Sequence, residues 1–158
     1  MTDLETLAGY LIKNGLTITT AESCTGGLIA GRLIDHPGIS EVYSEGFVTY
    51  SNEAKIELLG VDKDLIDGVG VVSDEVARAM AEGAAKRAGA DVALSSTGIA
   101  GPAGGDEEHP VGLVYIGCYY NGKVTSERFV FKGDRHEVRH QAVDEAIILG
   151  LRSFGLRP

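Results

Sequence analysis

The chain has 158 residues and a mass of 16.6 kDa, room for one domain over 1–158, since single cores run to about 100–200 residues. Hydrophobic residues make up 44% and charged residues 23%, close to globular averages, which excludes wholesale disorder and collagen-like or coiled-coil architectures. Fourteen Lys and Arg against 23 Asp and Glu leave a formal charge of −9, which argues against a sequence-independent nucleic-acid binder, because counterion release needs clustered cations.

Thr2-Asp-Leu-Glu5 has capping-box form, and Leu4, Leu7, Ala8, Leu11 and Ile12 recur at helical spacing until Gly15, so a first helix is expected. This start has no apolar stretch behind a basic segment, and no apolar run approaches the roughly 18 residues that cross a bilayer. A cytoplasmic protein without membrane partners is the expectation. Leu16 to Ala21 reads as a strand running into Glu22-Ser23-Cys24-Thr25-Gly26-Gly27, and Leu28, Ile29, Leu33 and Ile34 suggest a helix ending before Pro37. Val42 to Tyr50 reads as a second strand, and Ser51 can cap a short helix reaching Gly60. Residues 61 to 70 look like a connection with one helical turn. Ser73 then caps a long Ala-rich helix ending at Gly89, and Ala90 to Thr97 reads as a buried strand. Asn121-Gly122 between two apolar runs signals a type I′ hairpin, and Gly133-Asp-Arg135 leads into a last helix. Helices interleaved with strands, plus one hairpin, point to an α/β fold whose mixed sheet is covered on both faces.

Glycine is the compositional anomaly, 22 in 158 residues, about twice the roughly 7% of ordinary chains. Gly26 and Gly27 follow Ser23 at a strand-to-helix turn, where backbone amides can stabilise negative charge. The geometry suits a nucleophile or a phosphate cradle, and equally a plain helix N-cap. A Walker P-loop is excluded because no GK[ST] is present. Cys24 is intrinsically the better nucleophile, yet no histidine sits in a cysteine-enzyme motif and a buried thiol fits as well.

In Tyr50-Ser-Asn-Glu-Ala-Lys55 the lysine falls near the start of a helix, where the dipole and burial both disfavour the ammonium form. A neutral lysine can activate a serine without histidine, with a tyrosine orienting the proton. A solvated lysine beside Glu53 and Glu57 is the competing account. The segment after Thr97 carries Gly98, Gly101, Gly104 and Gly105 in a loop too long for a simple connector, either an anion-binding loop or a merely flexible one. Ser96 or Thr97 could donate a hydrogen bond at that edge. Arg128, Lys132, Arg135 and Arg139 form a local basic patch fit for one phosphate or carboxylate, or a solvated face. His136 and His140 form the one HxxxH pair but are flanked by Arg135 and Arg139, and Cys24 and Cys118 lack CxxC spacing, so neither a metal site nor a disulfide is indicated.

Together, Ala21-Glu-Ser-Cys-Thr-Gly-Gly27, Gly46-Phe-Val-Thr-Tyr-Ser-Asn-Glu-Ala-Lys55, Thr97-Gly-Ile-Ala-Gly-Pro102, Pro110-Val-Gly112 and Gly133-Asp-Arg135 resemble the C-terminal domain of the competence-damage-inducible proteins, CinA, also found as stand-alone nicotinamide mononucleotide deamidases. The resemblance covers nearly the whole chain, and the stand-alone form is the nearer likeness. It implies a three-layer α/β/α sandwich with a mixed, mostly parallel sheet of about five strands. It also implies hydrolysis of the carboxamide of nicotinamide mononucleotide to nicotinate mononucleotide and ammonia, in pyridine nucleotide salvage, with no metal and no cofactor. The nucleophile falls on Ser23, the lysine on Lys55 and the tyrosine on Tyr50. Thr97 and Arg135 carry over as substrate-binding or supporting residues, and Thr25, Gly26, Gly27 and Gly98 are expected on the substrate side with them. Amides near Gly26 or Gly98 would hold an oxyanion. A homodimer is compatible with the resemblance, and a nucleotide-sensing module without turnover is the alternative function.

Overall fold

The Thr2 hydroxyl accepts from the Glu5 amide while the Glu5 carboxylate accepts from the Thr2 amide, so the capping box opens α1 (Asp3–Asn14), which Gly15 closes in the left-handed conformation. The computed structural model describes residues 1–158. After α1 come β1 (Ile18–Glu22), α2 (Leu28–Ile34), a 3₁₀ turn (Ile39–Glu41), β2 (Phe47–Val48), α3 (Asn52–Leu59), α4 (Lys63–Val69) and α5 (Asp74–Ala88). The chain then runs through β3 (Val92–Gly98), β4 (Leu113–Tyr120), β5 (Lys123–Val130) and α6 (Arg135–Ser153).

One five-stranded sheet has the order β2-β1-β3-β4-β5. β1 pairs in parallel with β2 and β3, whereas β3 with β4 and β4 with β5 are antiparallel. The ladders are therefore evenly split, yet only β4 runs against the other strands, and the expected mixed sheet is present. The β4–β5 turn has Asn121 at φ 53° and Gly122 at φ 77°, the doubly left-handed geometry of a type I′ hairpin.

Two parts of the chain depart from expectation. The strand expected over 42–50 is cut to Phe47–Val48, preceded by a single bridge between Ile18 and Tyr43. The ladder is interrupted because Tyr43 turns its hydroxyl onto Thr20 Oγ1 at 3.0 Å, and the Thr19 hydroxyl captures the Glu45 carbonyl at 2.8 Å. Residues 61 to 70 hold more than one turn: Asp62 accepts from the Asp64 amide and caps α4.

The two sheet faces carry separate cores. Against one pack α1, α2 and α6, around Leu7, Leu11, Ile29, Leu33 and Ile147; against the other pack α3, α4 and α5, around Leu59, Ile66, Val76 and Met80. α5 comes close because it is rich in Ala and has Gly83 at the contact: a Cβ at Gly83 would collide with the Leu59 carbonyl oxygen at the end of α3. After β1 the chain adds β2 on one side; after β2 it crosses back over β1 to add β3 on the other. The order therefore reverses at β1, and the carboxyl ends of three parallel strands open a crevice there. Register puts Glu22 beside both Val48 and Ser96, so the residues just after β1 and β2 and those ending β3 meet at one edge.

Candidate active site

Ser23 is the first residue beyond β1, and its amide remains in the ladder, donating to the Ser96 carbonyl at 3.1 Å. A tight turn follows in which the Gly26 amide returns to the Ser23 carbonyl at 3.1 Å. Gly26 at φ 55° and Gly27 at φ 102° both occupy left-handed backbone, which explains the glycine pair. The Gly26 amide itself is thus spent within the turn and is not open to an oxyanion. The amides of Cys24 and Thr25, the next two after the serine, meet no acceptor in the protein.

The Glu22 side chain is completely buried and was not singled out from sequence. It accepts from Thr25 Oγ1 at 2.6 Å and from the amides of Ile29 and Ala30 at 2.8 and 3.0 Å. Those two amides belong to the first turn of α2, where Gly27 has no side chain to cap with, so Glu22 serves as cap and anchor. Because Thr25 spends its only hydroxyl proton on Glu22, it accepts from Ser96 Oγ at 2.7 Å, and Ser96 Oγ in turn accepts from the Ser23 amide at 3.3 Å. The single direction of this chain locks the turn. The Thr25 hydroxyl consequently faces the interior, leaving its amide as the group open to a ligand.

Lys55 lies in the first turns of α3, whose N-cap Ser51 accepts from the Ala54 amide at 3.1 Å. Although a lysine, it is only 1% exposed, and Ser23 is 8% exposed. Its Nζ lies 3.0 Å from Ser23 Oγ and donates to the Thr49 carbonyl at 2.7 Å, with longer bonds to the carbonyls of Tyr50 and Ser51 at 3.3 and 3.4 Å. All four partners are uncharged. Burial therefore pulls the ammonium down from an ordinary 10.5 to about 8, against weaker opposing pulls from Cys24 and Glu53. A neutral amine here can give two hydrogens to carbonyls and turn its lone pair to the Ser23 hydroxyl. Beside it, Thr49 Oγ1 is buried without a partner.

Burial drives the Cys24 thiol the other way, up to about 11, so thiolate is scarce at neutral pH. Tyr50 is 64% exposed, and its hydroxyl accepts from Arg135 Nη2 at 3.2 Å rather than joining Lys55 or Ser23. Arg135 Nη1 donates to the Gly101 carbonyl at 2.7 Å. Tyr50, Arg135 and the loop after β3 therefore form a bridge at the rim, with spare guanidinium donors. The Thr97 hydroxyl donates to the Val71 carbonyl at 2.9 Å, tying the end of β3 to the segment before α5. A Cβ at Gly98 would crowd Leu113 and Val114, so that glycine serves close packing of β3 on β4. Arg139, seen from sequence only as part of a basic patch, donates from Nε to the Cys24 carbonyl at 2.9 Å and from Nη2 to the Thr25 carbonyl at 3.2 Å. The rings of His136 and His140 on α6 lie tilted at 37° with centroids 4.1 Å apart.

The sequence model described as CinA C-terminal domain matches residues 2–153. A relative from Clostridium beijerinckii named as a competence-damage inducible protein is 60% identical over 138 residues, 87% of this chain and 34% of that protein. A CinA-like protein from Kosmotoga olearia is 52% identical, again over 87% of this chain and 34% of its own length. The chain thus spans about a third of the curated relatives it matches. Among solved structures, a competence/damage inducible protein from Agrobacterium tumefaciens superposes with a TM-score of 0.89 at 42% identity, covering 98% of this chain and 97% of that one. A CinA superfamily protein from Escherichia coli gives 0.89 at 37% identity, over 94% and 88%. No helix of the chain is long and apolar enough to cross a membrane.

Proposed function

The chain belongs to the CinA C-terminal domain family, and from the serine and lysine at its sheet edge we propose that it hydrolyses the carboxamide of nicotinamide mononucleotide to nicotinate mononucleotide and ammonia. The observation that carries this reading is a buried lysine with only uncharged partners, its pKa drawn to about 8, with its amine 3.0 Å from a serine hydroxyl. Neutral Lys55 takes the Ser23 proton as Oγ attacks the amide carbon. The amides of Cys24 and Thr25, just before Gly26, hold the oxyanion. The Lys55 ammonium then protonates the departing nitrogen, ammonia leaves, and water attacks the acyl-serine with Lys55 again as base.

Arg135 offers its spare donors to the phosphate, and the exposed Tyr50 ring offers a face to the pyridine or ribose. Tyr50 acts here through its carbonyl on Lys55 and its hydroxyl on Arg135, not as a proton relay. Gly26 and Gly27 keep the turn free of side chains, while Thr97 and Gly98 hold the opposite wall.

Ammonia release from nicotinamide mononucleotide, set beside release from free nicotinamide, tests the reading. Turnover of the nucleotide alone, lost in Ser23→Ala and kept in Cys24→Ala, is expected. Binding without turnover would make the domain a nucleotide sensor, and a fully active Ser23→Ala variant would remove the serine from the mechanism.

A further inference from the structure

We infer that Arg139 is a positioning residue for the oxyanion hole: its guanidinium holds the Cys24 and Thr25 peptides so that the Thr25 amide points toward the carbonyl that Ser23 attacks. This rests on the amide-hydrolase reading above. In a trans peptide the N–H and C=O point in opposite directions, and the sole cis bond of the chain is Gly101–Pro102. Arg139 Nε donates to the Cys24 carbonyl at 2.9 Å, which shares its peptide unit with the Thr25 N–H. Pinning that oxygen toward α6 turns the N–H away from α6, and no protein acceptor meets it there.

The second bond, Nη2 to the Thr25 carbonyl at 3.2 Å, fixes the next unit, whose Gly26 N–H points back to the Ser23 carbonyl at 3.1 Å. One planar fork therefore sets two successive peptide planes, a task suited to a rigid guanidinium. A charge-assisted bond at a carbonyl also polarises the attached amide and makes its N–H a stronger donor. The close approach depends on the turn sequence: a Cβ at Gly26 would stand 3.3 Å from Arg139 Nη2, at a left-handed φ of 55°. On the far side, Glu22, Thr25 and Ser96 lock the same turn from within. Arg139 and Arg135 thus have separate work, since Arg135 bonds the rim at Gly101 and Tyr50.

The test compares wild type with Arg139→Met and Arg139→Lys by steady-state kinetics on nicotinamide mononucleotide. A second readout is the rate at which an alkyl fluorophosphonate labels Ser23. In that labelling the Oγ–P bond forms, fluoride leaves, and the serine proton passes to Lys55. Losing one oxyanion donor costs roughly 10²- to 10³-fold in kcat, so loss of its alignment in Arg139→Met is expected to cost about 10- to 100-fold. KM should stay within about twofold, the pH midpoint of the rate should not move, and labelling should slow by a similar factor. Arg139→Lys, which can serve only one carbonyl at a time, should fall between. If Arg139→Met does not fold, judged by its thermal midpoint, the lysine variant carries the comparison: reduced kcat at unchanged KM supports the role.

Unchanged kcat with unslowed labelling overturns it, as does a raised KM at unchanged kcat, which would make Arg139 a phosphate ligand. Should wild type release no ammonia from the nucleotide yet label at Ser23, the substrate reading fails while the labelling rates still decide on Arg139. A wild-type protein that neither turns over nor labels removes both.

Discussion

Raising the pH through 8 should switch on hydrolysis, because it converts Lys55 from an ammonium into the amine that Ser23 needs. With a pKa near 8, about 10% of the lysine is neutral at pH 7, against about 0.03% for an ordinary lysine, a gain of roughly 300-fold in the competent form. The value of kcat/KM for ammonia release should rise about tenfold per pH unit below 8 and level off above it. Lys55→Arg keeps a cation at every accessible pH, so it should lose the rising limb and about 10²- to 10⁴-fold in rate. Stability should carry the same signature with its own sign. Between about 8 and 10.5 the unfolded lysine holds a proton that the folded one has released, so the Lys55 contribution falls as pH drops through that window and is constant below it. The total is on the order of 3 kcal/mol, read as the difference between wild type and Lys55→Met in urea titrations at pH 7 and 10. A rate that stays flat from pH 6 to 9, or a rising limb that survives in Lys55→Arg, would refute the assignment of Lys55 as base.

Glu22→Gln should weaken the turn from inside, since an amide cannot accept all three bonds that the carboxylate takes from Thr25, Ile29 and Ala30. A loss of about 2–3 kcal/mol in chemical denaturation is expected, and a change below about 0.5 kcal/mol would mean the carboxylate is not the anchor. Thr49→Val removes the one buried hydroxyl without a partner at nearly constant shape. It should raise stability by about 1 kcal/mol, whereas a clear loss would reveal a partner for that hydroxyl. Gly83→Ala opposes two effects: helix propensity favours alanine by about 1 kcal/mol, but its Cβ would collide with the Leu59 carbonyl oxygen, a backbone atom. The collision should win by about 1–3 kcal/mol, seen as a lowered thermal midpoint, and a raised midpoint would show that α3 and α5 can separate freely.

Local features were readable from the chain because their causes lie within a few residues. The capping box of Thr2 and Glu5, the caps Ser51 and Ser73, the stop at Gly89 and the Asn121-Gly122 hairpin all stand where short-range hydrogen bonding requires them. The glycine pair after Ser23 likewise announced a turn with left-handed backbone. Long-range partners explain what was not readable. The strand expected over 42–50 was cut short by hydroxyls of β1, in Thr19 and Thr20, that compete for its backbone and for Tyr43. Thr25 is expected on the substrate side without a stated atom, and the partners that claim its hydroxyl, Glu22 and Ser96, leave its amide as the open group. Tyr50 is expected to orient the serine proton, whereas its hydroxyl accepts from Arg135, 85 positions away.

The sequence by itself determined the alternation of helices and strands, the hairpin, and a serine followed by a glycine turn, because each follows from propensity and pattern over short stretches. Only the tertiary structure decided which side chains lose their water. Lys55 has its pKa drawn down to about 8 by burial against carbonyls at the carboxyl ends of parallel strands. Arg139 reaches the Cys24 carbonyl across 115 positions of chain. Desolvation and peptide orientation are sums over neighbours brought from distant segments, and no window of sequence contains them.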